Sequence, residues 1–450
     1  MQYEKFTDSL VKNLRLYIFD APGYLGRVTA TIGAQGGNLG DIRLLKRAGT
    51  MTHREIEVYV RSDEHMHEIL HAVGELDGVQ IDAVTDAVLD LHRGGKIGMQ
   101  STVAIQDAAD LRRIYTPGVA TVCRQIQSTP ETAWDYTSVG NTVAIVTNGT
   151  AILGLGDIGP LAGMPVMEGK AVLFHHLVGI SGIPILVDSH DVDTCVETIA
   201  RISQSFGAIK LEDFSAPCCF EIEQKLAARI DKPVMHDDQH GTATVALAAL
   251  LNATKYAGVQ LKNEAVGIVG LGAAGTGIAQ LLQAYGCRRI LGTDLSDDAR
   301  QRLADRGGEP TTLEGVMQNA TVVLCTTGVS SLIKPEMVRR RQIILALSNP
   351  DPEIRPEDAV RAGAAFAADG RGVNNALAFP GLFKGALLAR ARVINNRMKI
   401  AAAHTIARYA DSNQQELVPE LLKTDVHQAV SAAVERAAFE SGAVRPVEDY

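Results

Sequence analysis

The amino-acid sequence predicts an α/β protein with a Rossmann-like, doubly wound parallel-sheet domain and a second α/β domain, preceded by a ferredoxin-like βαββαβ domain. Three observations predict this architecture. Short apolar strands alternate with helical segments from about residue 241 onward, which is typical of a parallel sheet. A GxGxxG turn directly follows one of these strands. Residues 14–91 alternate between strand and helix periodicity in the order βαββαβ.

The chain length is compatible with three domains. Its 450 residues are enough for two or three, and we expect divisions at residues 1–90, 91–240 and 241–450. A Gly-rich, charged stretch, "LHRGGKIGMQ" (91–100), predicts the first linker. From about residue 395 the sequence becomes Ala-rich with helical spacing, so the last domain is expected to end in a helical tail.

Composition limits the class of protein. An apolar content of 46% and a charged content of 21% are typical of a globular protein. The net charge of −9, with no long Lys/Arg block, argues against nucleic acid as a partner. The N-terminus lacks an apolar targeting segment, and no stretch approaches 18 uninterrupted apolar residues. We therefore expect a cytoplasmic protein without membrane contact, whose six scattered cysteines are reduced.

The elements of the first domain follow from local patterns. "LRLYIF" predicts a strand and "DAPGYLGR" a turn into a helix. "GNLGDIRLLKR" and "REIEVYVRS" predict two strands around a turn, "EHMHEILHAVGEL" a helix and "GVQIDAVTDAVL" the closing strand.

This stretch resembles the ACT regulatory domain, with "DAPGYL" where that family has its first-loop signature and Gly37-Asn38 at a second familiar position. The resemblance implies a homo-oligomer, a homodimer or larger, that binds a metabolite effector such as an amino acid. It implies effector contacts at four residues: Asp20, Gly23, Leu25 and Asn38. The alternative is a small α+β module that only mediates dimer contacts.

Two adjacent acid pairs mark element ends in the second domain. "VGNTVAIVTNGTAILGLGDIGP" predicts apolar strands cut by turns, and "IPILVDSHDVDTCVETIARI" predicts a strand, a turn and a helix. Glu212-Asp213 then follows the apolar "FGAIKL". Asp237-Asp238 lies in "MHDDQHGT", directly before the apolar "ATVALAALLNATKYAG". Charge that is about to be buried needs a counter-charge or a metal as its partner.

Carboxylate oxygens suit Mg²⁺ or Mn²⁺ better than zinc. His236 and His240 are spaced as zinc ligands on a helix would be, but the glutamate of the HExxH motif is absent. The remaining alternative is that the acids only cap helices or pair with Lys210 and Lys232.

The third domain begins with a dinucleotide motif. After the strand "AVGIV", six residues are expected to hold a pyrophosphate at a helix N-terminus: Gly270, Leu271, Gly272, Ala273, Ala274 and Gly275. Asp294 ends the next strand, where a carboxylate accepts hydrogen bonds from the adenosine ribose and repels a 2′-phosphate. The motif therefore favours NAD, with NADP as the alternative. "ATVVLCTTG", "QIILALSNP" and "AAFAADG" predict further strands.

Six motifs, taken in order, resemble the malic enzyme family: "YTPGVA" (115–120), "GLGDIGPLAGMPVMEGK" (154–170), "LEDF", "HDDQHGTA", "SNP" (348–350) and "NNALAFPG" (374–381). The chain is similar to a bacterial-type short malic enzyme fused to an ACT domain. The resemblance implies residue roles. The metal ligands are Glu212, Asp213 and Asp238, with Asp237 as the acid beside the catalytic lysine; Lys170 is the general base, Tyr115 the general acid, and Asn349 and Asn375 lie near substrate and nicotinamide.

The resemblance further implies oxidative decarboxylation of L-malate to pyruvate and CO₂, with reduction of NAD(P) and dependence on Mg²⁺ or Mn²⁺. A metal-independent 2-hydroxyacid dehydrogenase and a non-catalytic sensor of NAD and amino acids are the alternatives. One segment departs from the family pattern. Larger members have Asp-Gly-Glu-Arg where this chain has Asn148-Gly-Thr-Ala151, so their substrate-binding arginine has no counterpart at Ala151.

Overall fold

A computed structural model of the chain describes residues 10–152, 154–348, 351–370, 372–411, 413 and 416–445. The chain forms two compact units, Met1–Gly98 and Met99–Tyr450. The border between the units lies within the linker predicted at residues 91–100. The division expected between residues 240 and 241 falls inside a helix and stays a prediction.

The first unit is an antiparallel sheet of order β2-β3-β1-β4 with two helices packed on one face. Its elements are β1 (Leu10–Phe19), α1 (Tyr24–Ala34), β2 (Asn38–Ala48), β3 (Met51–Val60), α2 (Asp63–Gly74), β4 (Val79–Asp86) and α3 (Ala87–His92). Leu14, Leu16 and Ile18 alternate along β1 and are buried against Val28 of α1 and Ile69 of α2. The predicted βαββαβ order is confirmed.

The closing strand is shorter than predicted. β4 ends at Asp86, whose carboxylate accepts hydrogen bonds from the backbone N–H groups of Val88 and Leu89. Asp86 thereby caps α3. The apolar residues after Asp86, which were expected to extend the strand, therefore form a helix.

The second unit opens with helices and a parallel sheet of order β6-β5-β7-β8. Its first elements are α4 (Ala108–Ile114), α5 (Val119–Ser128), α6 (Ala133–Tyr136), β5 (Thr142–Thr147), α7 (Pro160–Val178), β6 (Ser181–Leu186), α8 (Val192–Ile202), β7 (Ala208–Leu211), α9 (Cys218–Arg229), β8 (Val234–His236) and α10 (Asp237–Tyr256). Between β5 and α7 the described residues do not form the further strand that the sequence predicted. Gly154 and Gly156 adopt positive φ angles there, and Ile152 pairs with Gly156 in a tight turn.

The second parallel sheet has the strand order β11-β10-β9-β12-β13-β14. Strands β10 and β11 lie on one side of β9 and strands β12 to β14 on the other, as in a doubly wound fold. Its elements are β9 (Ala265–Val269), α11 (Ala273–Tyr285), β10 (Arg289–Thr293), α12 (Asp297–Asp305), β11 (Glu309–Pro310), α13 (Leu313–Asn319), β12 (Val322–Cys325), β13 (Ile343–Ala346), α14 (Pro356–Arg361) and β14 (Phe366–Asp369). Helices α15 (Phe379–Leu388), α16 (Asn396–Tyr409) and α17 (Thr424–Glu440) complete the unit. The predicted fold class is confirmed.

Helix α10 joins the two parallel sheets through a shared core. It is buried along most of its length and packs against α11 and α16. Gly277 of α11 comes so close that a Cβ atom there would lie 2.3 Å from the carbonyl oxygen of Gln239. The acids at the start of α10 are therefore held rigidly against the helix that follows the GxGxxG turn. Among the described residues, no helix is long and apolar enough to cross a membrane.

Candidate active site

The two acid pairs meet at the carboxyl edge of the first parallel sheet. β7 and β8 are hydrogen-bonded neighbours, with Leu211 in register with His236. The residues that follow these two strands, 212–213 and 237–238, therefore emerge side by side. A hydrogen bond of 3.1 Å from the backbone N–H of Asp213 to Asp238 Oδ2 joins the two turns. This edge is where parallel α/β sheets form their binding sites.

Three carboxylates form a group suited to a cation. Ligand oxygens of Glu212, Asp213 and Asp238 lie within 4.8 Å of one another. Burial, with the charge of Asp238 adding to it, raises the pKa of Asp213 to about 7. Asp213 Oδ2 is buried and accepts no hydrogen bond from the described part of the chain. A divalent cation would satisfy this oxygen and offset the repulsion, so the predicted ligand set fits Mg²⁺ or Mn²⁺.

His236 supports this group instead of joining it. Its Nε2 lies 3.2 Å from Asp238 Oδ2. Burial alone would raise the pKa of Asp238, but the hydrogen bond and charge of His236 outweigh it and hold that pKa below its usual range. Although burial opposes the change, Asp238 and Cys219 raise the pKa of His236 to about 10. A positively charged histidine is a poor zinc ligand, because zinc binds the neutral imidazole.

Two lysines share two of the acids. Lys170 Nζ lies 2.9 Å from Glu212 Oε1 and 3.1 Å from Asp237 Oδ2. Lys210 Nζ lies 2.9 Å from Asp237 Oδ2 and also pairs with Glu212. Burial lowers the pKa of Lys210 to about 8 against the charge of Asp237, and the Lys170 ammonium adds to the decrease. We call these four residues the four-charge cluster. It adjoins the three carboxylates through Glu212, which belongs to both.

Neighbouring residues position the four-charge cluster. Asn375 Oδ1 accepts a hydrogen bond of 3.3 Å from Lys170 Nζ. The ring of Phe379 lies 5.0 Å from Lys170 Nζ and 4.7 Å from Lys210 Nζ, as in cation–π contacts. A Cβ atom at Gly241 would lie 2.0 Å from Asp237 Oδ1. The glycine therefore leaves the space that this carboxylate occupies.

The loop in which Ala151 stands in place of the family's arginine supports the turn that carries Glu212 and Asp213. The backbone N–H of Ala151 donates a hydrogen bond of 3.0 Å to the carbonyl of Asp213. The Thr150 hydroxyl accepts one of 3.0 Å from the Ser215 N–H and donates one of 2.7 Å to Asn148 Oδ1. This segment therefore supports the turn that carries Glu212-Asp213.

A second buried network holds the start of α10. Glu223 Oε2 lies 3.0 Å from His240 Nε2, and His240 Nδ1 lies 3.1 Å from Lys399 Nζ. Glu223 Oε1 also accepts a hydrogen bond of 2.7 Å from the His236 N–H. Burial would raise the pKa of Glu223, but His240 outweighs it and the pKa falls to about 2. The network joins α9, α10 and α16 beneath the acids.

The GxGxxG turn has the geometry of a nucleotide loop. Gly270 has a φ of 92°, and a Cβ atom at Gly275 would lie 1.9 Å from the Gly270 carbonyl oxygen. A Cβ atom at Gly272 would meet no atom within 4 Å, so this side of the loop is open. Leu271, Ala273 and Ala274 lie between the three glycines and complete the turn into α11. The first backbone N–H groups of α11 can donate hydrogen bonds to a phosphate.

Asp294 lies beside this turn, as predicted from sequence. Its Oδ2 accepts a hydrogen bond of 2.6 Å from the Leu271 N–H, and its Oδ1 accepts one of 2.9 Å from the Ser296 N–H. The nearby Arg300 donates to the Asp294 carbonyl and pairs with Asp297. The Arg300 side chain therefore already has partners within the chain. This leaves the Asp294 carboxylate to determine the preference between NAD and NADP.

Some predicted site residues are not brought together. Tyr115 is 67% exposed and is not among the side chains that contact Lys170. Asn349 lies outside the described residues. In the first unit Asp20, Gly23 and Leu25 surround the start of α1, whereas Asn38 follows its end. Because α1 has 11 residues and is about 16 Å long, Asn38 does not face the Asp20 loop within one chain.

Sequence reasoning missed Glu223 and Lys399. Glu223 lies next to Ile222 on the face of α9 that also buries Cys219 and Leu226. An acidic residue on an otherwise apolar helix face was the feature of the sequence that could have identified it. Of the two lysines suggested as partners of the acids, Lys210 takes that role. Lys232 instead donates hydrogen bonds to the carbonyls of Ser203 and Phe206.

Family models match all three parts of the chain. "Malic enzyme, N-terminal domain" matches residues 94–227, "Malic enzyme, NAD binding domain" matches residues 296–439, and "ACT domain" matches residues 9–81. "D-isomer specific 2-hydroxyacid dehydrogenase, NAD binding domain" matches residues 236–334. The last match covers only the nucleotide-binding side of the second unit.

Whole-chain relatives are similar in both sequence and structure. NAD-dependent malic enzyme 1 of Bacillus subtilis is 51% identical over 96% of this chain and 98% of its own length. The NAD-dependent malic enzyme of Geobacillus stearothermophilus is 40% identical over 94% of both chains. The crystal structure of malic enzyme from Pyrococcus horikoshii superposes with a TM-score of 0.75 at 36% identity, over 80% of this chain and 92% of that one.

We expect Glu223→Gln to destabilise the protein in a pH-dependent way. Removing the Glu223 charge leaves the buried Lys399 ammonium without the negative charge that faces it, which costs about 3–5 kcal/mol at neutral pH. Because the folded-state pKa of Glu223 lies below the value near 4.3 of an unfolded chain, its stabilisation is present above about pH 4.3 and is lost toward pH 2. Urea midpoints of wild type and variant should therefore converge as the pH falls from 7 to 3. Glu221→Gln, an exposed acid on the same helix, is the control, and a pH-independent difference contradicts the assignment.

Proposed function

The chain belongs to the malic enzyme family, and we propose that it converts L-malate to pyruvate and CO₂ while reducing NAD. One observation carries this proposal. Glu212 lies 2.9 Å from the amine of Lys170 and is also one of the three carboxylates suited to a divalent cation. Oxidation of a 2-hydroxy acid needs a proton acceptor, and decarboxylation of the resulting keto acid benefits from a Lewis acid. A shared carboxylate brings the two requirements together.

The divalent cation, Mg²⁺ or Mn²⁺, would be held by Glu212, Asp213 and Asp238. When bound, it supplies Lewis-acid stabilisation of the enolate that remains as CO₂ leaves. The buried, unsatisfied Oδ2 of Asp213 and the raised pKa of that residue support this assignment. Asp237 stays with the lysines, because both Lys170 and Lys210 contact its Oδ2.

Lys170 acts as the base in the redox step. Its neutral amine accepts the proton of the malate C2 hydroxyl as C2 is oxidised. Lys210 contacts the same two carboxylates, Glu212 and Asp237, so these acids keep a cationic partner while Lys170 is neutral. The Asn375 amide oxygen holds the Lys170 amine in place.

Tyr115 returns the proton to carbon. Its hydroxyl donates a proton to C3 of the enolate, so that a C3–H bond forms as the O–H bond breaks. The tyrosinate then takes a proton from the Lys170 ammonium, and this regenerates both groups. The net result moves the malate hydroxyl proton to C3 of pyruvate, and no other acid is consumed.

The second candidate is a metal-independent 2-hydroxyacid dehydrogenase. The family match over residues 236–334 favours it, but that match covers only the nucleotide-binding side. Such an enzyme has no use for three convergent carboxylates at the edge of another sheet. A non-catalytic sensor is disfavoured because this chain keeps Lys170 in contact with Glu212, Asp237 and Asn375.

Purified full-length protein tests the proposal with L-malate, NAD and Mn²⁺. We expect NADH, pyruvate and CO₂ in equal amounts, and loss of all three with excess chelator. Asp213→Asn should reduce turnover to background, because it removes a cation ligand. Asp193→Asn, which changes an exposed acid on α8, should leave turnover unchanged. Oxaloacetate accumulating without CO₂, at a rate insensitive to chelator, would establish the dehydrogenase alternative instead.

Asp294 predicts the cofactor preference. The wild-type enzyme should have a higher kcat/KM for NAD than for NADP, because the carboxylate binds ribose hydroxyls and repels a 2′-phosphate. Asp294→Ser should narrow that ratio by about tenfold or more, equivalent to about 1.4 kcal/mol. Asp305→Ser, at an exposed acid at the other end of α12, is the control. A wild-type preference for NADP overturns this assignment.

We propose that the ACT unit binds a small metabolite, such as an amino acid, between two copies of the chain. The Asp20 loop enters α1 through Gly23, whose φ is 90°, and the first N–H groups of α1 face that loop. Asp20 supplies a carboxylate for an amino group, and Asn38 comes from the neighbouring copy, since it lies at the other end of α1 in its own chain. A ligand there changes activity only if it binds two arrangements with different affinity.

A thermal-shift screen of amino acids on the full-length protein tests this role. A true effector at about one hundred times its Kd stabilises the protein by about 2.7 kcal/mol, and it should also change malate kinetics. Asp20→Ala should remove both effects, whereas Asp41→Ala, at an exposed acid of β2, should retain them. If every stabilising amino acid acts equally on both variants, the unit only mediates dimer contacts.

A further inference from the structure

A buried carboxylate joins two loops at the carboxyl edge of the second parallel sheet. Glu353 has no exposed surface. Its Oε1 accepts hydrogen bonds of 2.8 Å from both the N–H and the hydroxyl of Thr327, and one of 2.6 Å from the Ser348 hydroxyl. Its Oε2 accepts a longer one of 3.4 Å from the Ser348 N–H. Thr327 lies two residues after β12 and Ser348 two residues after β13, so one side chain holds both loops.

Neutral donors from these loops satisfy the buried charge. A carboxylate in an apolar interior is stable only if hydrogen bonds or an opposite charge offset its lost hydration. Here both carboxylate oxygens accept hydrogen bonds from the loops. The Ser348 hydroxyl oxygen also accepts one of 2.8 Å from the Gly328 N–H. Glu353 therefore connects the two loops to each other, and Ser348 extends this connection to Gly328.

The segment that carries Glu353 is itself anchored. The Glu353 carbonyl accepts a hydrogen bond of 3.0 Å from the Ile333 N–H, and the Pro352 carbonyl accepts one of 3.1 Å from the Ser331 N–H. Ile354, the next residue, is buried in the same apolar core as Ile333. The main chain of Glu353 is therefore fixed independently of its side chain, so the carboxylate is a rigid support for the loops.

The two loops border the expected place of the nicotinamide half of NAD. A doubly wound sheet binds a dinucleotide across the point where the strand order reverses, which lies here between β9 and β12. The GxGxxG turn and Asp294 follow β9 and β10 and are assigned to the adenosine half, which leaves the loops after β12 and β13 for the other half. The Thr326 hydroxyl donates a hydrogen bond of 3.1 Å to the Gly270 carbonyl. The β12 loop is thereby joined to the dinucleotide turn.

We propose that Glu353 is a positioning residue for the nicotinamide half of NAD, which it orders by holding the loops of Thr327 and Ser348 together. Its burial keeps it from touching the cofactor. Without the carboxylate the two loops separate and the reacting ring shifts, whereas the adenosine half keeps its own contacts. A displacement of about 1 Å at a reacting group can cost about 10²-fold in rate. The inference rests on the proposed function in taking NAD as the hydride acceptor.

Binding of a whole and a truncated cofactor tests this role. Glu353→Gln keeps the size of the side chain but replaces one acceptor oxygen with an NH₂ donor, which opposes the loop donors. NADH, titrated by its fluorescence, should bind about tenfold more weakly to this variant. ADP, which lacks the nicotinamide riboside, should compete for the site as it does in wild type. Glu357→Gln, at an exposed acid of α14, is the control and should bind both ligands normally.

A merely structural role gives a different pattern. If Glu353→Gln weakens NADH and ADP alike, or changes neither, the proposal is overturned. Malate turnover by this variant should fall by about 10²-fold in kcat with the KM for malate unchanged, and an unchanged kcat overturns the proposal as well. Because both ligands are titrated without malate or metal, these failures stay distinct from failure of the proposed function.

A pair of variants at Thr327 keeps the test decisive if Glu353→Gln does not fold. Thr327→Val removes the hydroxyl that donates to Glu353 and retains the backbone N–H, whereas Thr327→Ser retains both donors. Thr327→Val should bind NADH more weakly than Thr327→Ser, and the two should bind ADP equally. Equal binding of NADH by both variants overturns the proposal.

Discussion

The burial of Lys170, Lys210, Glu212 and Asp237 at one sheet edge is the constraint on which the rest of the site depends. Each ion buried without a partner costs several kcal/mol, so such a cluster persists only if its geometry is held from all sides. The register of β7 and β8 brings the acids together, α7 delivers Lys170, and Phe379 covers both ammonium groups. Because Glu212 also belongs to the three-carboxylate group, a cation bound at that group would be electrostatically coupled to the two lysines.

Helix α10 extends this constraint to the nucleotide-binding side. Its first turn carries Asp237-Asp238, and its interior packs on α11, the helix that follows the GxGxxG turn. Close approach at Gly277 and the Glu223–His240–Lys399 network leave little freedom between the acids and that turn. Hydride transfer needs substrate and nicotinamide at a defined separation, and a shared buried helix is a direct way to maintain it.

Local patterns in the sequence were sufficient for the fold class, since the βαββαβ order and the parallel sheets follow from periodicity. The roles of Glu212, Asp213, Asp237 and Asp238 came from the resemblance to a family and not from these patterns. The sequence did not predict which charged side chains pair with each other. That pairing depends on which long side chains reach one another across different helices and strands. The sharing of two acids by Lys170 and Lys210, and the pairing of Glu223 with His240, are of this kind. The capping of α3 by Asp86 shows that one capping side chain can outweigh apolar strand periodicity. The exposure of Tyr115 depends on packing that no local pattern encodes.

The central claim is a division of labour among four acids, three for the cation and Asp237 for the lysines. Anomalous diffraction from crystals soaked with Mn²⁺ tests this most directly, because it locates the ion without reference to activity. The account predicts one strong peak in the second unit, bonded to carboxylate oxygens of Glu212, Asp213 and Asp238, with Asp237 still paired to Lys170 and Lys210. A peak bonded to Asp237 or to His236, or no peak at this edge of the sheet, would contradict it.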